Sequence, residues 1–428
     1  MEITVFHVAA VAALLIVAAL LLLVLFEPGL AYRICSELPD SGAGESLRLV
    51  AALVDAPVCA GNMIRVLTNG GEFYKEELAA ILSARRSIHL EAYIFHPSRI
   101  AERFVDALTE RASHGVEVRI VIDAIGSMRT PDSYFARLRE AGGTVKWYQQ
   151  VRWHTLKRFN NRTHRELLIV DGHTGFVGGA GIASWWSEGG GGSPWRDTMV
   201  RVSGSLAGAL QSSFLENWLE TTGEILVNTK DFAGSDHAEC GAEDHDLHGF
   251  VVSSTPSAGK ATRARILFQV LVASAHESIM ISTPYFLPDA GMMRELAQAV
   301  ARGVLVKVIV PNRLNNHPMV RRASRRRYGA LLGAGVRLFE YEPAMMHAKV
   351  LVVDCVWSVL GTTNFDNRSF ALNDEVNIAL HDSRVAERLQ RDFQADLLSS
   401  REVNESDIQR GFGERFLARL ERLAERQQ

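Results

Sequence analysis

The chain is poor in cysteine and has no excess of positive charge. Its four cysteines, Cys35, Cys59, Cys240 and Cys355, are widely scattered, with no C-x-x-C pair and no metal-ligand spacing. This argues against a disulfide framework or a zinc site. A formal net charge of -3 argues against a general polyanion binder, since such domains carry a strongly basic balance, so any phosphate binding is local. Charge is missing altogether from residues 3–26, which hold no Asp, Glu, Lys or Arg. At about 1.5 Å per helical residue that run crosses a hydrocarbon layer of roughly 30 Å. Residues 1–30 are therefore read as a transmembrane anchor. A cleaved secretory signal fits less well, because the run is long, a basic n-region is missing and no small-x-small site follows. Arg33 and Arg48 follow the span and no Lys or Arg precedes it, which favours a cytosolic body.

A length of 428 residues exceeds what one hydrophobic core supports, so two domains or two fused halves are expected. Past the anchor the sequence lays over itself in order. Residues 84–97 resemble residues 275–288, each a helix end running into a strand that stops at proline. His114-Gly115-Val116 and Arg302-Gly303-Val304 each close a helix with glycine and open a strand, at residues 118–122 and 306–310. Residues 210–218 parallel residues 389–397 as a closing amphipathic helix. Helices alternating with short β-branched runs indicate βαβ units. The expected fold class is α/β, two pseudo-symmetric α/β/α sandwich halves over residues 60–227 and 249–400. Residues 228–248 read as an exposed acidic linker or loop, whose His237, His245 and His248 lack regular ligand spacing and are assigned no metal. Residues 189–192, all glycine, read as a flexible inserted loop. Residues 401–428 carry Phe412, Phe416, Leu417, Leu420 and Leu423 as an amphipathic helix that either docks on the body or lies on a membrane.

The remaining matching block carries the chemistry. One copy reads His347-Ala348-Lys349-Val350-Leu351-Val352-Val353-Asp354, followed by Gly361-Thr362-Thr363-Asn364 and Asp366-Asn367-Arg368-Ser369. The other reads His164-Arg165-Glu166-Leu167-Leu168-Ile169-Val170-Asp171, followed by Gly178-Gly179-Ala180-Gly181. Residues i and i+2 of a strand share a face, so His347 and Lys349 point the same way. An imidazole beside an ammonium suits attack on a phosphodiester: the nitrogen is the nucleophile and the cation holds non-bridging oxygens. The leaving alkoxide needs a proton and the incoming hydroxyl must lose one, which calls for a second imidazole. Each copy is trailed by a later acid, Asp197 or Glu375, a candidate to hold the imidazole Nδ1–H and fix the tautomer. Asp171 and Asp354 end the strands, where they are candidates for the catalytic set or braces for the following turn.

With H-x-K-x4-D complete in the second copy, including Gly361, Asn364 and Ser369, the chain resembles the phospholipase D superfamily. Within it the likeness is to the membrane-anchored bacterial cardiolipin synthases, from about Asn62 to Leu398. The resemblance implies the phospholipase D fold, two halves packed as one pseudo-dimer with the active site on their shared axis. It implies that His164 forms a phosphohistidine, that His347 acts as acid and base, and that Lys349 and Asn364 hold phosphate oxygens, with no metal or other cofactor. The implied activity is phosphatidyl transfer, most simply cardiolipin from phosphatidylglycerol, in a single-pass protein of the bacterial inner membrane. Phospholipase D-type hydrolysis and a catalytically impaired phospholipid-binding protein stand as alternatives. Phospholipid and membrane are the expected partners. Nucleic acid is not, for want of aromatic and basic residues interleaved to suit single strands.

The first copy departs from the pattern. Glu166 takes the place of the lysine and Gly181 the place where an asparagine is common. A carboxylate aimed at a phosphodiester is repulsive by about 4 kcal/mol at 4 Å for an effective dielectric near 20. Two remedies are open: Arg162, on the same strand face, neutralises Glu166 or binds phosphate itself, or a protonated Glu166 donates a hydrogen bond. Arg321, Arg322, Arg325 and Arg326 recur at helical spacing as a cationic face for anionic headgroups or a solvated helix. Arg152, Lys157, Arg158 and Arg162 precede His164 and support the same substrate weakly.

Overall fold

The structure is a computed structural model that describes residues 43–150, 161–188, 192–227, 247–255 and 262–408, with a few isolated residues ahead of them. The anchor expected over residues 1–30, the linker up to residue 246, residues 189–191, Arg152, Lys157, Arg158 and the helix expected from Phe412 onward lie outside the described residues. Among the described residues no helix is long and apolar enough to cross a membrane.

Among the described residues eighteen strands carry the fold. The first half contains β1 (Cys59–Thr68), β2 (Ser87–Ala92), β3 (Glu117–Asp123), β4 (Thr144–Tyr148), β5 (Arg162–Thr163), β6 (Leu167–Val170), β7 (Thr174–Gly178) and β8 (Thr198–Ser203). The second contains β9 (Leu247–Ser254), β10 (Ser278–Ser282), β11 (Phe286–Leu287), β12 (Leu305–Pro311), β13 (Arg337–Tyr341), β14 (Val350–Val353), β15 (Trp357–Gly361), β16 (Phe365–Asp366), β17 (Asn373–His381) and β18 (Ser400–Glu402). One large sheet runs β18-β13-β12-β10-β14-β15-β17-β9-β1-β8-β7-β6-β2-β3-β4. Read outward from the β1–β9 junction, β8-β7-β6-β2-β3-β4 in one lobe matches β17-β15-β14-β10-β12-β13 in the other. The repeat seen in the sequence is therefore a repeat of strand order, related by a pseudo-two-fold axis at β1 and β9.

Burial explains why these segments are strands. Leu167–Val170 is apolar throughout and all four residues are buried, as expected of a central strand covered on both faces. One face of the sheet is covered lobe by lobe. Helices Gly70–Ser83 and Arg99–Ser113 pack on the first lobe and helices Arg263–Ala273, Ala290–Ala301 and Pro318–Gly333 on the second, each over its own apolar core. The other face carries a core continuous across both lobes, built around Leu210, Phe214 and Trp218 of helix Ser205–Thr222 and Leu389 and Phe393 of helix Ser383–Leu398. That shared core makes the lobes one packing unit.

Asp171 and Asp354 hold turns of this scaffold. Each sits in the left-handed region, at φ 53° and 52°, at the end of its strand remote from the histidine. Asp171 accepts from the backbone N–H groups of Arg85, Arg86 and Ser87, the last two at 2.7 and 3.0 Å. Asp354 accepts from those of His276, Glu277 and Ser278 at 2.9, 2.8 and 2.8 Å. Both tie a strand end to the turn that starts the neighbouring strand, β2 or β10. Asp354→Ala strands three backbone donors at once, so we expect a loss of about 3 kcal/mol in unfolding free energy, read by denaturant titration. The protein that remains folded should keep its activity.

Candidate active site

The two lobes meet through their histidine segments. β5 pairs in parallel with the start of β17, Arg162 opposite Asn373, and the His164 N–H donates to Asp374 O at 2.9 Å. The other crossing repeats this geometry: Arg196 bridges Met346, and the His347 N–H donates to Arg196 O at 2.7 Å. Each histidine is thus seated one residue from the other lobe's acid. His164 Nδ1 lies 3.0 and 3.1 Å from the two carboxylate oxygens of Glu375, and His347 Nδ1 lies 2.8 Å from Asp197 Oδ2. Both pairs cross between lobes.

Each acid is itself held. Asp197 accepts from Trp186 Nε1 at 2.9 Å and from the Thr198 N–H at 2.8 Å, and Arg196, paired to Asp396 at 2.9 Å, donates to the Asp197 carbonyl. Glu375 accepts from Thr362 Oγ1 and from Asn373 Nδ2. A carboxylate fixed in this way sets the tautomer of its imidazole and leaves Nε2 to the substrate. Aromatic rings wall the site. Tyr93 stands 5.1 Å from His164, and Trp186 and Trp195 each stand 5.3 Å from His347. Trp186 and Thr362 were missed in the sequence. Superposing the turns after the two histidine strands puts Trp186 opposite Ser369 and Thr362 opposite Gly179, and that register was the available signal.

Lys349 reaches toward the first lobe. Its Nζ is 3.0 Å from His347 Nδ1, and a Cβ on Gly179 would come within 2.9 Å of it and 2.7 Å of Asp197 Oδ1. Glycine at 179 is therefore required by close approach. Burial pushes the Lys349 ammonium down to about 8 against the pull of Asp197, Glu375, Glu166 and Asp366. Burial first, then the Lys349 charge, holds His347 down to about 4. Asn364 and Ser369 are buried in the turn and short helix after β15, and Asn364 Oδ1 and Ser369 Oγ have no hydrogen-bond partner among the described residues.

Burial disfavours the charged form of Glu166. It is buried, accepts from the Ile94 N–H at 3.0 Å, and is held well above the usual carboxylate range by burial. A Cβ on Gly181 would stand 2.5 Å from Ile94 O and 2.7 Å from Glu166 Oε1, so the Ile94 backbone and the glutamate together leave room only for glycine. The remedy through Arg162 is corrected. That side chain pairs with Asp123 at 3.4 Å and donates to the Asn161 and Gln149 carbonyls. The cationic face is also reduced, since Arg321 and Arg325 both turn onto the buried Glu340.

Buried carboxyls around the site give stability a pH dependence. Burial raises Glu77 to about 8, Glu91 and Asp374 to about 7, and Asp123 and Asp366 to about 6. The folded chain keeps these protons where an unfolded one, with carboxyl pKa values near 4, has lost them. Their stabilising share is present below the unfolded values and fades as pH climbs through 6 to 8. His347 opposes this only between its depressed value of about 4 and 6.5. The melting temperature should fall from pH 6 to pH 8 at fixed ionic strength; calorimetry showing a flat or rising value there would contradict the assignment.

Fold and site together define a duplicated α/β protein in which two halves share one centre of two carboxylate-held histidines. A family model described as cardiolipin synthase, PLD-like domain, matches residues 78–189 and 269–397, one block in each lobe, and the chain belongs to this family. It is 34% identical over 344 residues to cardiolipin synthase 2 of Bacillus cereus, covering 79% of this chain and 65% of that protein. Cardiolipin synthase A of Pseudomonas aeruginosa is 34% identical over 368 residues, covering 85% of this chain and 72% of that protein. The chain thus spans about two-thirds of the length of such curated relatives. Among solved structures, phosphatidylserine synthase of Haemophilus influenzae Rd KW20 shares the fold, with a TM-score of 0.66 at 16% identity over 88% of this chain and 97% of its own.

Proposed function

We propose that the protein is a phosphatidyltransferase that makes cardiolipin from phosphatidylglycerol. The observation that carries this reading is the crossed arrangement of His164 with Glu375 and His347 with Asp197, around the single buried Lys349. His164 Nε2 attacks the phosphorus of one phosphatidylglycerol, the bond from phosphorus to the glycerol oxygen breaks, and His347 gives that oxygen its proton. The hydroxyl of a second phosphatidylglycerol then loses its proton to His347 and attacks the phosphohistidine. The phosphorus–nitrogen bond breaks and cardiolipin forms, with glycerol as the other product. Lys349 balances the charge on the non-bridging oxygens, and the free polar atoms of Asn364 and Ser369 meet the headgroup. His347 takes up its acid proton with the substrate, because the phosphodiester charge opposes the burial and the Lys349 field that together keep the ring neutral.

One observation favours a second reading with the roles exchanged. His347 is held neutral in the free site, which is the state a nucleophile requires. Mass spectrometry of the acid-labile adduct, on rapidly quenched protein, separates the two by placing phosphorus on His164 or on His347. The family likeness and the uncharged run at residues 3–26 support a single-pass anchor in the bacterial inner membrane with the lobes in the cytoplasm. The overall reading is tested by incubating the full chain with phosphatidylglycerol vesicles and identifying the lipids formed. Cardiolipin with glycerol is expected, phosphatidic acid selects hydrolysis, and no turnover selects a binding protein.

Glu166→Gln checks the neutral state of the glutamate. If the carboxyl is already protonated, removing its charge changes kcat by less than about threefold. A loss of tenfold or more would show that the ionised form acts in turnover.

A further inference from the structure

We propose that the edge of the molecule bearing the active site is its membrane-docking face, with two pseudo-symmetric loops, residues 124–130 and 312–317, entering the headgroup region of an anionic bilayer. Strands β2, β3 and β4 run parallel, as do β10, β12 and β13, and their C-terminal ends bring the following loops to the histidines. The first loop hangs on the segment after β2: the Phe95 N–H donates to Ser127 Oγ at 2.8 Å, Ser127 donates to Tyr93 O at 2.9 Å, and Tyr93 touches His164. The second loop hangs on the equivalent segment after β10, where Asn315 Nδ2 donates to Pro284 O at 3.4 Å and Tyr285 donates to Asn316 at 2.7 Å. The tips carry Met128 in one lobe, and Leu314 with the adjoining Met319 in the other. The two closing helices also end at this edge, Glu220 reaching Gln149 beyond β4 and Ser399 O accepting from the Glu342 N–H beyond β13. Ile225, Val227 and Leu398 stand exposed there.

These six side chains, from Leu314 at 55% to Leu398 at 91% exposed, are the large apolar side chains of the two lobes that are more than half exposed among the described residues. The next, Leu53, reaches 48%. Large aliphatic side chains left in water and gathered on one edge mark an interface. Their form selects a bilayer over a protein: they are separate tips carried by both lobes, and exposed Arg129, Arg313 and Arg322 beside them match lipid phosphates. The proposal rests on the function above only in taking bilayer phospholipid as substrate, and its test reads contact instead of turnover.

The test places a photoreactive benzoylphenylalanine at position 128, 314 or 319 of the full chain reconstituted in phosphatidylglycerol and phosphatidylethanolamine vesicles. Positions 82 and 305, at the opposite edge, serve as controls. After irradiation, lipid adducts at 128 and 314 should exceed those at 82 and 305 by about tenfold. Adding Met128→Glu and Leu314→Glu to the chain labelled at 319 should lower its lipid adducts about fivefold with an unchanged melting temperature. Equal yields at both edges, or adducts to protein in place of lipid at 128 and 314, would overturn the proposal. A protein that labels as expected but turns over no lipid removes the enzymatic reading alone.

Discussion

His164→Ala is expected to lower turnover of phosphatidylglycerol by about 10⁴-fold or more, since the covalent route disappears with its nucleophile. His347→Ala is expected to lower it by about 10³-fold, the share of a general acid and base. The variants should differ in what they accumulate. Without His347 the first step still runs slowly on a substrate with a good leaving group, and the phosphatidyl group stays on His164 because no base activates the acceptor. Without His164 no adduct forms at all. Neither substitution should cost much stability, since the carboxylate partners keep other donors, Trp186 and the Thr198 N–H for Asp197 and Thr362 and Asn373 for Glu375. Melting temperatures within a few degrees of the parent, measured beside the rates, separate chemical loss from unfolding. Should either alanine variant keep near-parental turnover, the two-histidine mechanism is wrong.

The lobes and the two imidazoles were legible in the sequence because they rest on local signals. Glycine stops, alternating strands and the repeated H-x-(K/E)-x4-D block need no knowledge of how the halves pack. The same signals identified Asp197 and Glu375 as imidazole partners without saying which serves which ring. That choice is made by non-local pairing, β5 with β17 and Arg196 with Met346, and it sends each acid to the opposite lobe. Arg162 was misread for the same reason. Strand alternation puts it on the face of Glu166, but Asp123, thirty-nine positions earlier in the chain, takes its guanidinium in the fold. Asp171 and Asp354 gave no local sign that they cap the turn before a neighbouring strand. The Glu166 departure was legible as a departure, but the Ile94 N–H that holds its carboxyl comes from another strand end and was not.

Because the acids are exchanged, Glu375→Gln is expected to act through a histidine of the other lobe. The amide presents a donor as readily as an acceptor to His164 Nδ1, so the ring loses its fixed tautomer and the imidazolium its countercharge. Comparable losses run to about 10⁴-fold in kcat. KM should change little, since Glu375 lies behind the ring and does not face the substrate. The decisive measurement is the double variant. His164→Ala with Glu375→Gln should be no slower than His164→Ala alone, because an acid that works only through an imidazole has nothing left to orient. Asp197→Asn combined with His347→Ala should give the same result in the other half. Pairing each acid instead with the histidine of its own lobe, Glu375→Gln with His347→Ala, removes parts of two different dyads, and that variant should be slower than either single one. Full additivity for the crossed pairs, or its absence for the pairs within a lobe, would mean that the acids do not serve the rings they touch.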